Sequence, residues 1–376
     1  MSKALRGEFD IKLDRMISTS NLTFGEFSMK RRSFLKLAAA STATFVAPAV
    51  LRAQSKRFDG VTLNINGYGG DYDRLTMEYI AKPLEQRTGL KVNIQASEST
   101  SALAQALASR NNPPFDIILT DSPIMPQLIK ADLIDPISAK DLPSLGKLLP
   151  NVREFGDYGI PFLTNAIILT YNSKLVKEPV TSYADLRRSD LKGHVGMLSP
   201  ANSGGVLALI ALAESNSGSL DDIGPGLQAL TSMRESIATI TPATTTLQQL
   251  LEQEEIWAAP FFDGRIYASR NRGKALVSVV PKEGIYAVNN YWNPVKGSKK
   301  RDAVFAYIEQ AVSDEAIGHM VEFFRYAPCT DVKISPEVAK DVVVYGDNRK
   351  YVKPVDWSKV AQFRGDGIER FDKAMR

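Results

Sequence analysis

Few side chains in this 376-residue sequence are suited to nucleophilic or acid-base catalysis. The sequence has two histidines, His194 and His319, and one cysteine, Cys329. A hydrolase needs a nucleophile activated by a base, yet no G-x-S-x-G motif and no H-E-x-x-H zinc motif occur. His194 opens a predicted strand and His319 lies on a predicted amphipathic helix, so both are expected to be structural. The sequence therefore disfavours an enzyme and predicts no catalytic residue, metal site or cofactor.

Polar side chains follow two predicted strands in the first half of the chain. A glycine-rich loop from Tyr68 to Asp71 comes after the first strand, and Thr120, Asp121 and Ser122 come after the third. In a parallel sheet flanked by helices, ligands bind beyond the carboxyl ends of the strands, so these residues are candidates for one wall of a cleft. The alternative is ordinary turn chemistry, because turns favour the same residue types.

A second candidate group precedes a predicted helix in the second half of the chain. Asn202, Ser203 and Gly204 leave backbone N–H groups free at the start of that helix. Such groups suit an anionic or carbonyl group of a ligand. The alternative is a plain N-cap, which uses the same residue types.

Strand and helix patterns alternate along the chain and place these residues at the ends of strands. In the first half, strands are predicted at 61–65, 90–95 and 115–119, and helices at 72–88 and 99–110. In the second half, a strand is predicted at 194–198 and helices at 206–213, 220–236 and 244–255, the second helix being interrupted at 224–226. Pro83 is expected to kink or split the first helix. The alternation predicts an α/β fold with a parallel sheet and helices on both faces.

An apolar, β-branched strand at 167–171 lies between these two halves, introduced by Gly159 and Pro161. About 320 residues follow the N-terminal leader described next, which is more than a single core usually supports. We therefore expect two domains, with this strand as a crossing between them.

Residues 1–53 have the pattern of an export leader. The pair Arg31 and Arg32 is followed by an apolar stretch of roughly 14 residues, short of the roughly 20 that a bilayer-spanning helix needs. The pattern predicts export by the twin-arginine route into a periplasm and removal of the leader. The alternatives left open are cleavage after Ala49 or Ala53 and a start at Met1 or Met29.

The basic charge of the sequence belongs to this leader. It holds 9 of the 46 Lys and Arg residues and 4 of the 42 Asp and Glu residues, so 37 basic and 38 acidic residues remain, a net charge of −1. We therefore expect no nucleic-acid partner. With Cys329 alone, no intrachain disulfide forms and no lipid-bearing cysteine follows the leader. The exported protein is expected to be a free monomer.

Several ordered segments resemble bacterial periplasmic solute-binding proteins of ABC importers, extracellular solute-binding protein family 1, and among them the spermidine/putrescine-binding group. The segments read YGIPFLTNAIILTYN and TSYADLRRSDLKG at the first crossing, ASESTSALAQALASRNNPPFDIILTDS before it, and IWAAPFFDGRIYASR, PKEG and SPEVAKD after it. The likeness spans residues 58–345. It implies a type II two-lobed fold, in which each lobe has a central sheet flanked by helices and a hinge of two or three crossings joins the lobes.

The resemblance also implies how the chain is divided and what it does. Lobe 1 is expected at 58–163 plus 290–324, and lobe 2 at 164–289 plus 325–376. A small-molecule solute would be trapped between the lobes and passed to an ABC permease in the inner membrane. No ATP site is expected on this chain, and the solute and the permease are not identified.

The resemblance assigns further residues to the cleft. Phe262 occupies the family's aromatic position, where a ring can stack on an apolar part of a ligand, and Asp263 occupies the polar position. Thr164 lies at the first crossing, and Asn289 and Asn290 are expected in a loop at the return crossing. The alternative, judged from the sequence pattern alone, is that Phe262 is an ordinary core residue.

The acids of the family's polyamine receptors are largely missing here. Buried amines need opposing carboxylates, but the loop at 199–205 contains no acid and the return crossing has asparagine in place of aspartate. The remaining candidate acids are Asp71, Asp121 and Asp263. The sequence predicts a small neutral, zwitterionic or anionic solute whose acceptor group is held by the N–H groups of 202–205. The alternatives are a polyamine, if the three acids converge, and a secreted enzyme or a surface adhesion or sensor role.

Overall fold

The computed structural model describes residues 56–150 and 152–375, so the predicted leader lies outside the described residues. The strands are β1 (Thr62–Gly67), β2 (Lys91–Ala96), β3 (Ile117–Asp121), β4 (Ile160–Asn172), β5 (Val195–Leu198), β6 (Ile237–Thr241), β7 (Ala258–Phe262), β8 (Leu276–Val279), β9 (Tyr286–Pro294) and β10 (Ala327–Pro328). The helices are α1 (Asp71–Thr76), α2 (Lys82–Thr88), α3 (Ser99–Ala108), α4 (Met125–Lys130), α5 (Ser203–Ser215), α6 (Gly224–Ser232), α7 (Thr244–Glu252), α8 (Asp263–Asn271), α9 (Arg301–Ala311), α10 (Asp314–Phe324), α11 (Pro336–Ala339) and α12 (Trp357–Met375).

These strands join one sheet in the order β2-β1-β3-β9-β4-β7-β5-β6, with β8 and β10 also paired to β4. β1 runs parallel to β2 and β3, and β5 runs parallel to β6 and β7. The long strands β4 and β9 pair antiparallel with each other between the two parallel groups. The predicted α/β class is confirmed. We call the side with β1 to β3 the first lobe and the side with β5 to β8 the second lobe.

Each lobe has its own apolar core, made of segments distant in sequence. The first-lobe core joins Leu63 of β1 to Trp292 of β9 and to α9 and α10. The second-lobe core joins Phe261 of β7 to α5, and α12 adds Trp357 and Phe371 to it. Burying each of these large side chains stabilises the fold by about 1.5–3 kcal/mol. Among the described helices, none is long and apolar enough to cross a membrane.

Three strands lie side by side where the chain passes between the lobes. Thr164 of β4 is opposite Asn289 of β9 on one side and Ala327 of β10 on the other. The resemblance places the crossings between the lobes at this part of the sheet. The exact lobe limits, at 163/164, 289/290 and 324/325, stay a prediction.

Two sequence-based predictions about this framework are wrong. Asn289 and Asn290 lie inside β9 and not in a loop, because β4 is long enough to give them strand partners on the crossing. The glycine-proline-glycine run does not interrupt a helix but begins one: α6 starts at Gly224, and Pro225 lies in its first turn. Proline is tolerated there because the N–H that it lacks would have no intrahelical partner.

The expected break of the first helix is present. A π-helical turn at Met77–Ala81 separates α1 from α2, and Pro83 lies in the first turn of α2. Gly89 ends α2 with a φ of 80°, in the left-handed region that favours glycine. The break lets one chain segment cover the sheet with two helical faces.

Both histidines pack against aromatic rings. His194, directly before β5, stacks on Trp257 with ring centroids 3.5 Å apart, and His319 on α10 stacks on Tyr79 at 3.8 Å. Cys329 is buried beside Thr164, and burial raises the pKa of its thiol to about 12. These placements give all three residues packing roles in the described part of the chain.

Candidate functional site

A small cavity of about 20 Å³ lies between the lobes at the carboxyl ends of the parallel strands. Its lining comes from both lobes and comprises Tyr68, Tyr72, Glu98, Asp121, Asn165, Thr244, Phe262, Arg265 and Tyr326. Three residues singled out from the sequence, Tyr68, Asp121 and Phe262, are among them. The cavity therefore brings together these three predicted cleft residues, two from the first half of the chain and one from the second.

Asp121 is the buried acid of the first-lobe wall. It ends β3 and is 6% exposed. Its Oδ1 accepts hydrogen bonds from the Tyr68 hydroxyl at 2.6 Å and from the Asn290 amide at 2.7 Å. Burial raises the pKa of the Asp121 carboxyl above its usual value, and these bonds oppose that shift in part. The Tyr68 hydroxyl also lies 3.2 Å from the Ser99 hydroxyl, so β1, α3, β3 and β9 are tied together at the cavity.

Glu98 is a second acid on the same wall and contacts the opposite lobe. Its Oε1 accepts a hydrogen bond of 3.0 Å from the backbone N–H of Thr244, the first residue of α7. A carboxylate at a helix N-terminus is stabilised by the free N–H groups and the helix dipole. Burial raises the pKa of Glu98, and the bond from Thr244 lowers it in part. The described structure thus has the lobes in contact across the cleft.

Arg265 is the cationic residue of the cavity lining. It lies in the first turn of α8 and is 3% exposed. Its guanidinium donates across the cleft to the carbonyls of Tyr68 at 3.2 Å and Gly69 at 3.5 Å, and within its own lobe to Gln248 at 3.4 Å. No carboxylate of the described residues lies within 4.0 Å of it. Its partners are therefore neutral acceptors at long distances.

Two polar atoms of the cavity lining have no hydrogen-bond partner in the described structure. These are the hydroxyl of Tyr72 and Oδ1 of Asn165. The two residues are 1% and 5% exposed. Because an unpaired buried polar group costs about 1–3 kcal/mol, a ligand or ordered water in the cavity is expected to satisfy them.

The N-terminus of α5 does not line this cavity. The side chain of Asn202 accepts a 2.8 Å hydrogen bond from the N–H of Gly204, which is the ordinary N-cap arrangement. Its amide donates to the carbonyl of Pro242 at 2.9 Å and to Thr244 at 3.0 Å. Ser203 and Gly204 are buried in the first turn of the helix. Their assignment to a ligand stays a prediction.

Ser122, Thr164 and Asn289 belong to a different cluster, at the crossing strands. Ser122 donates to a carboxylate oxygen of Glu154 at 2.8 Å, and the Asn289 amide donates to the same oxygen at 3.1 Å. The Thr164 hydroxyl donates to Asn289 at 2.6 Å. Trp357, the first residue of α12, donates to the other Glu154 oxygen at 2.8 Å. This cluster ties the crossing to the C-terminal helix and lies outside the cavity lining, as does the buried Thr120.

Asp71 and Asp263 also lie outside the cavity lining. Asp71 forms an ion pair of 2.7 Å with Arg272 of the second lobe. Asp263 is buried at the crossing, where its Oδ1 accepts hydrogen bonds from the N–H groups of Ala166 at 3.2 Å and Gly264 at 2.9 Å. Asp263 forms no ion pair with Arg265, which lies two residues further along the described chain. The three candidate acids therefore do not converge.

Three cavity residues that the sequence analysis missed lie a few residues after the ends of parallel strands. Glu98 follows β2 by two residues, Thr244 follows β6 by three, and Arg265 follows β7 by three. All three strands belong to the parallel groups, so the rule that selected Asp121 applies to them equally. Tyr72 has no such signal, because on α1 it is indistinguishable from a core residue.

A larger cavity of about 400 Å³ lies entirely on the second lobe. It is lined by residues such as Tyr183, Glu214, Glu283 and Tyr286. Because no first-lobe residue contributes to it, a ligand there would not couple binding to contact between the lobes. The smaller cavity between the lobes is the better candidate.

Comparisons with known proteins agree with this architecture. A family model described as bacterial extracellular solute-binding protein matches residues 79–344. Among solved structures, the chain is similar to the periplasmic binding protein AgtB of A. tumefaciens R10 in complex with agropinic acid, with 18% identity, a TM-score of 0.73 and coverage of 84% of this chain and 99% of that one.

Two further structures show the same likeness. AfuA from Actinobacillus pleuropneumoniae, with fructose-6-phosphate bound, has 18% identity, a TM-score of 0.70 and coverage of 84% of this chain and 99% of that one. The spermidine/putrescine-binding protein PotD from Streptococcus pneumoniae has 17% identity, a TM-score of 0.64 and coverage of 84% and 100%. At this identity the likeness establishes the two-lobed fold and not the ligand.

Proposed function

Because the chain belongs to the bacterial extracellular solute-binding proteins, we propose that it captures a small solute between its lobes and delivers it to an ABC permease in the inner membrane. The observation that carries this proposal is the cavity lined by both lobes, where Asp121 of the first lobe and Arg265 of the second face one space. A solute there contacts both lobes at once.

Binding is coupled to closure by a population shift. The lobe-to-lobe contacts, which include Glu98 with Thr244 and Asp71 with Arg272, exist only when the lobes are closed. A solute that contacts both walls adds its own free energy to that state and raises its population. The permease would then recognise the closed form, and the hinge would be the crossing strands at Thr164.

The proposed ligand contacts are Tyr68 and Asp121 from the first lobe and Phe262 from the second, with Asn290 positioning Asp121. Phe262 is 6% exposed and lines the cavity. A ring in that position offers an apolar face to the solute. Solute chemistry is set by these groups together with Arg265.

A small neutral, zwitterionic or anionic solute fits this cavity better than a polyamine. Asp71, Asp121 and Asp263 are dispersed, and Arg265 repels a dication. We expect putrescine and spermidine to bind weakly or not at all, as measured by isothermal titration calorimetry on protein freed of endogenous solute. Micromolar binding of either polyamine, lost in Asp121→Asn, would refute this choice.

Two measurements test solute binding itself. Native mass spectrometry of the purified protein should reveal one bound metabolite, which the protein leaves chemically unchanged, whereas turnover of it would favour an enzyme. Small-angle X-ray scattering should show a smaller radius of gyration after that metabolite is added back to the stripped protein. An unchanged scattering profile at saturating solute would contradict hinge closure.

We further propose that the protein acts in the periplasm as a monomer after export by the twin-arginine route. The support is the extracellular family and the Arg31-Arg32 pair before a short apolar stretch, which lies outside the described residues. Folding before export suits a protein whose two lobes interleave distant segments of the chain.

A further inference from the structure

The cavity between the lobes carries charges of both signs on opposite walls. Asp121 and Glu98 come from the first lobe, and Arg265 comes from the second. The acids and the guanidinium are not paired with each other, since none of them forms an ion pair with another within 4.0 Å. The cavity therefore presents a separated negative wall and positive wall to whatever occupies it.

Arg265 has no carboxylate within 4.0 Å in the described part of the chain, and the acids that interact with it, Asp73 and Glu98, do so at longer range. It is 3% exposed, and its acceptors are two backbone carbonyls and one amide oxygen at 3.2–3.5 Å. Burying a charge is costly unless it is paired and hydrogen-bonded at close range. A guanidinium matches a carboxylate with two parallel hydrogen bonds. The missing partner is therefore best supplied by a carboxylate on the solute.

The first-lobe wall, formed by Asp121 and Glu98, needs a hydrogen-bond donor from the solute. The Tyr68 and Asn290 bonds to Asp121 both end on Oδ1, and the Thr244 bond to Glu98 ends on Oε1. An ammonium group offers three donors and a positive charge to such carboxylate oxygens. A solute with only an anionic group would face these two acids, and a solute with only cationic groups would face Arg265. A molecule with both charges avoids both repulsions and, unlike a neutral solute, can pair with each wall.

Two unpartnered atoms of the lining repeat this pattern without charge. The Tyr72 hydroxyl can donate a hydrogen bond to an acceptor on the solute, while Asn165 Oδ1 can only accept one from a donor. Both residues are more than nine-tenths buried and line the cavity. The solute must therefore carry acceptors and donors in one small molecule.

The cavity is small in the described structure. Its volume is about 20 Å³, which is room for about one water molecule. The lobes must therefore part to admit a solute, and a short molecule requires the least movement.

We propose that the solute is a short zwitterion, with its carboxylate against Arg265 and its ammonium group facing Asp121 and Glu98. This inference rests on the proposed solute-binding function and names its substrate class. A zwitterion of this kind bridges the two lobes by its own charges, so it stabilises the closed state from both walls.

The test compares matched compounds that differ by one charge. 4-Aminobutyrate, butyrate and butylamine share a carbon chain, and glycine, β-alanine, 5-aminopentanoate and the twenty protein amino acids vary the charge separation. Thermal unfolding and calorimetry of the stripped protein are measured with each compound, and the endogenous solute is identified by native mass spectrometry. We expect a zwitterion to bind at least a hundredfold more tightly than its single-charge counterparts.

Variants test which residue binds each charged group of the solute. Arg265→Gln should lower the affinity for the zwitterion at least about thirtyfold, because truncating one partner of a buried charge pair costs 2 kcal/mol or more. Arg270→Gln, an exposed arginine on the same helix that forms no ion pair among the described residues, is the matched control and should change affinity little. Asp121→Asn should weaken binding of the zwitterion from the other wall. If Arg265→Gln fails to fold, Asp121→Asn alone decides.

The outcomes separate this inference from the proposed function. A tightly bound endogenous solute that is anionic, neutral or purely cationic overturns the zwitterion and leaves solute binding intact. Zwitterion binding that neither Arg265→Gln nor Asp121→Asn weakens overturns the assignment of the charges. A protein that carries no solute and binds none of the panel overturns both proposals.

Discussion

Asp263 makes the stability of the protein depend on pH in an unusual direction. Burial raises the pKa of its carboxyl from 3.8 to about 7, against the opposing effect of the N–H groups of Ala166 and Gly264, and its Oδ2 has no partner in the described structure. A raised carboxyl pKa means that the folded state favours the neutral form. The destabilisation is therefore absent below pH 3.8, grows as pH rises, and is complete above pH 7.

The magnitude follows from the shift. At 1.36 kcal/mol for each pH unit between 3.8 and about 7, the ionised Asp263 lowers the free energy of unfolding by about 4 kcal/mol above pH 7. Between pH 5 and pH 8 the change is about 2–3 kcal/mol, because the unfolded carboxyl is already ionised at pH 5. Asp263→Asn keeps an acceptor for both N–H groups and removes this ionisation.

The assay is urea unfolding of the wild type and Asp263→Asn at intervals from pH 5 to pH 8.5. The stability of the variant relative to the wild type should rise by about 2–3 kcal/mol across this range. Asp302→Asn, whose side chain is 80% exposed in an ion pair with Arg57, is the control and should give a flat difference. If the Asp263→Asn difference is also flat, the buried carboxyl does not titrate near neutral pH and the argument from its burial is wrong.

Two further predictions concern the C-terminal helix and the leader. Arg364 of α12 is 3% exposed and donates to Thr100 of the first lobe at 2.5 Å and to the carbonyl of Ala201 of the second lobe at 3.2 Å. Arg364→Met should weaken solute binding about tenfold by calorimetry, because charged hydrogen bonds that hold the closed state are lost. Unaltered affinity would show that these bonds do not hold the closed state. Changing Arg31 and Arg32 together to Lys should leave the precursor in the cytoplasm, since Lys lacks the planar guanidinium; normal periplasmic accumulation on fractionation would disprove the route.

The sequence predicted the elements of this fold better than it predicted their contacts. Local patterns were sufficient for β1, β2 and β3 and for the helices that follow β1 and β2, because periodicity and turn residues are local signals. The strand position of Asn289 and Asn290 depends on pairing with β4, more than 100 residues earlier. No local pattern indicates such a partner, so the sequence alone predicts a loop at these two asparagines.

The candidate site shows the same limit for side chains. Asp121 and Asp263 each lie where a strand ends, and the sequence treats them alike. In the structure Asp121 faces the cavity, while Asp263 turns toward the N–H of Ala166 on the crossing. The difference comes from how β7 pairs with β4, which tertiary packing decides. Arg265, by contrast, follows β7 by three residues, so it could be identified from the rule that ligands bind beyond the carboxyl ends of parallel strands.

The interleaved cores have a consequence for how the chain folds during synthesis. Trp357 and Phe371 complete a core whose strand β7 ends at Phe262, so about 100 residues separate the two parts. At about 5–20 residues per second, the ribosome needs about 5–20 s to make that interval. The first-lobe core likewise waits for α9 and α10. Neither lobe can close its core while the nascent chain is short, so both are expected to form in a single late event after most of the polypeptide has emerged.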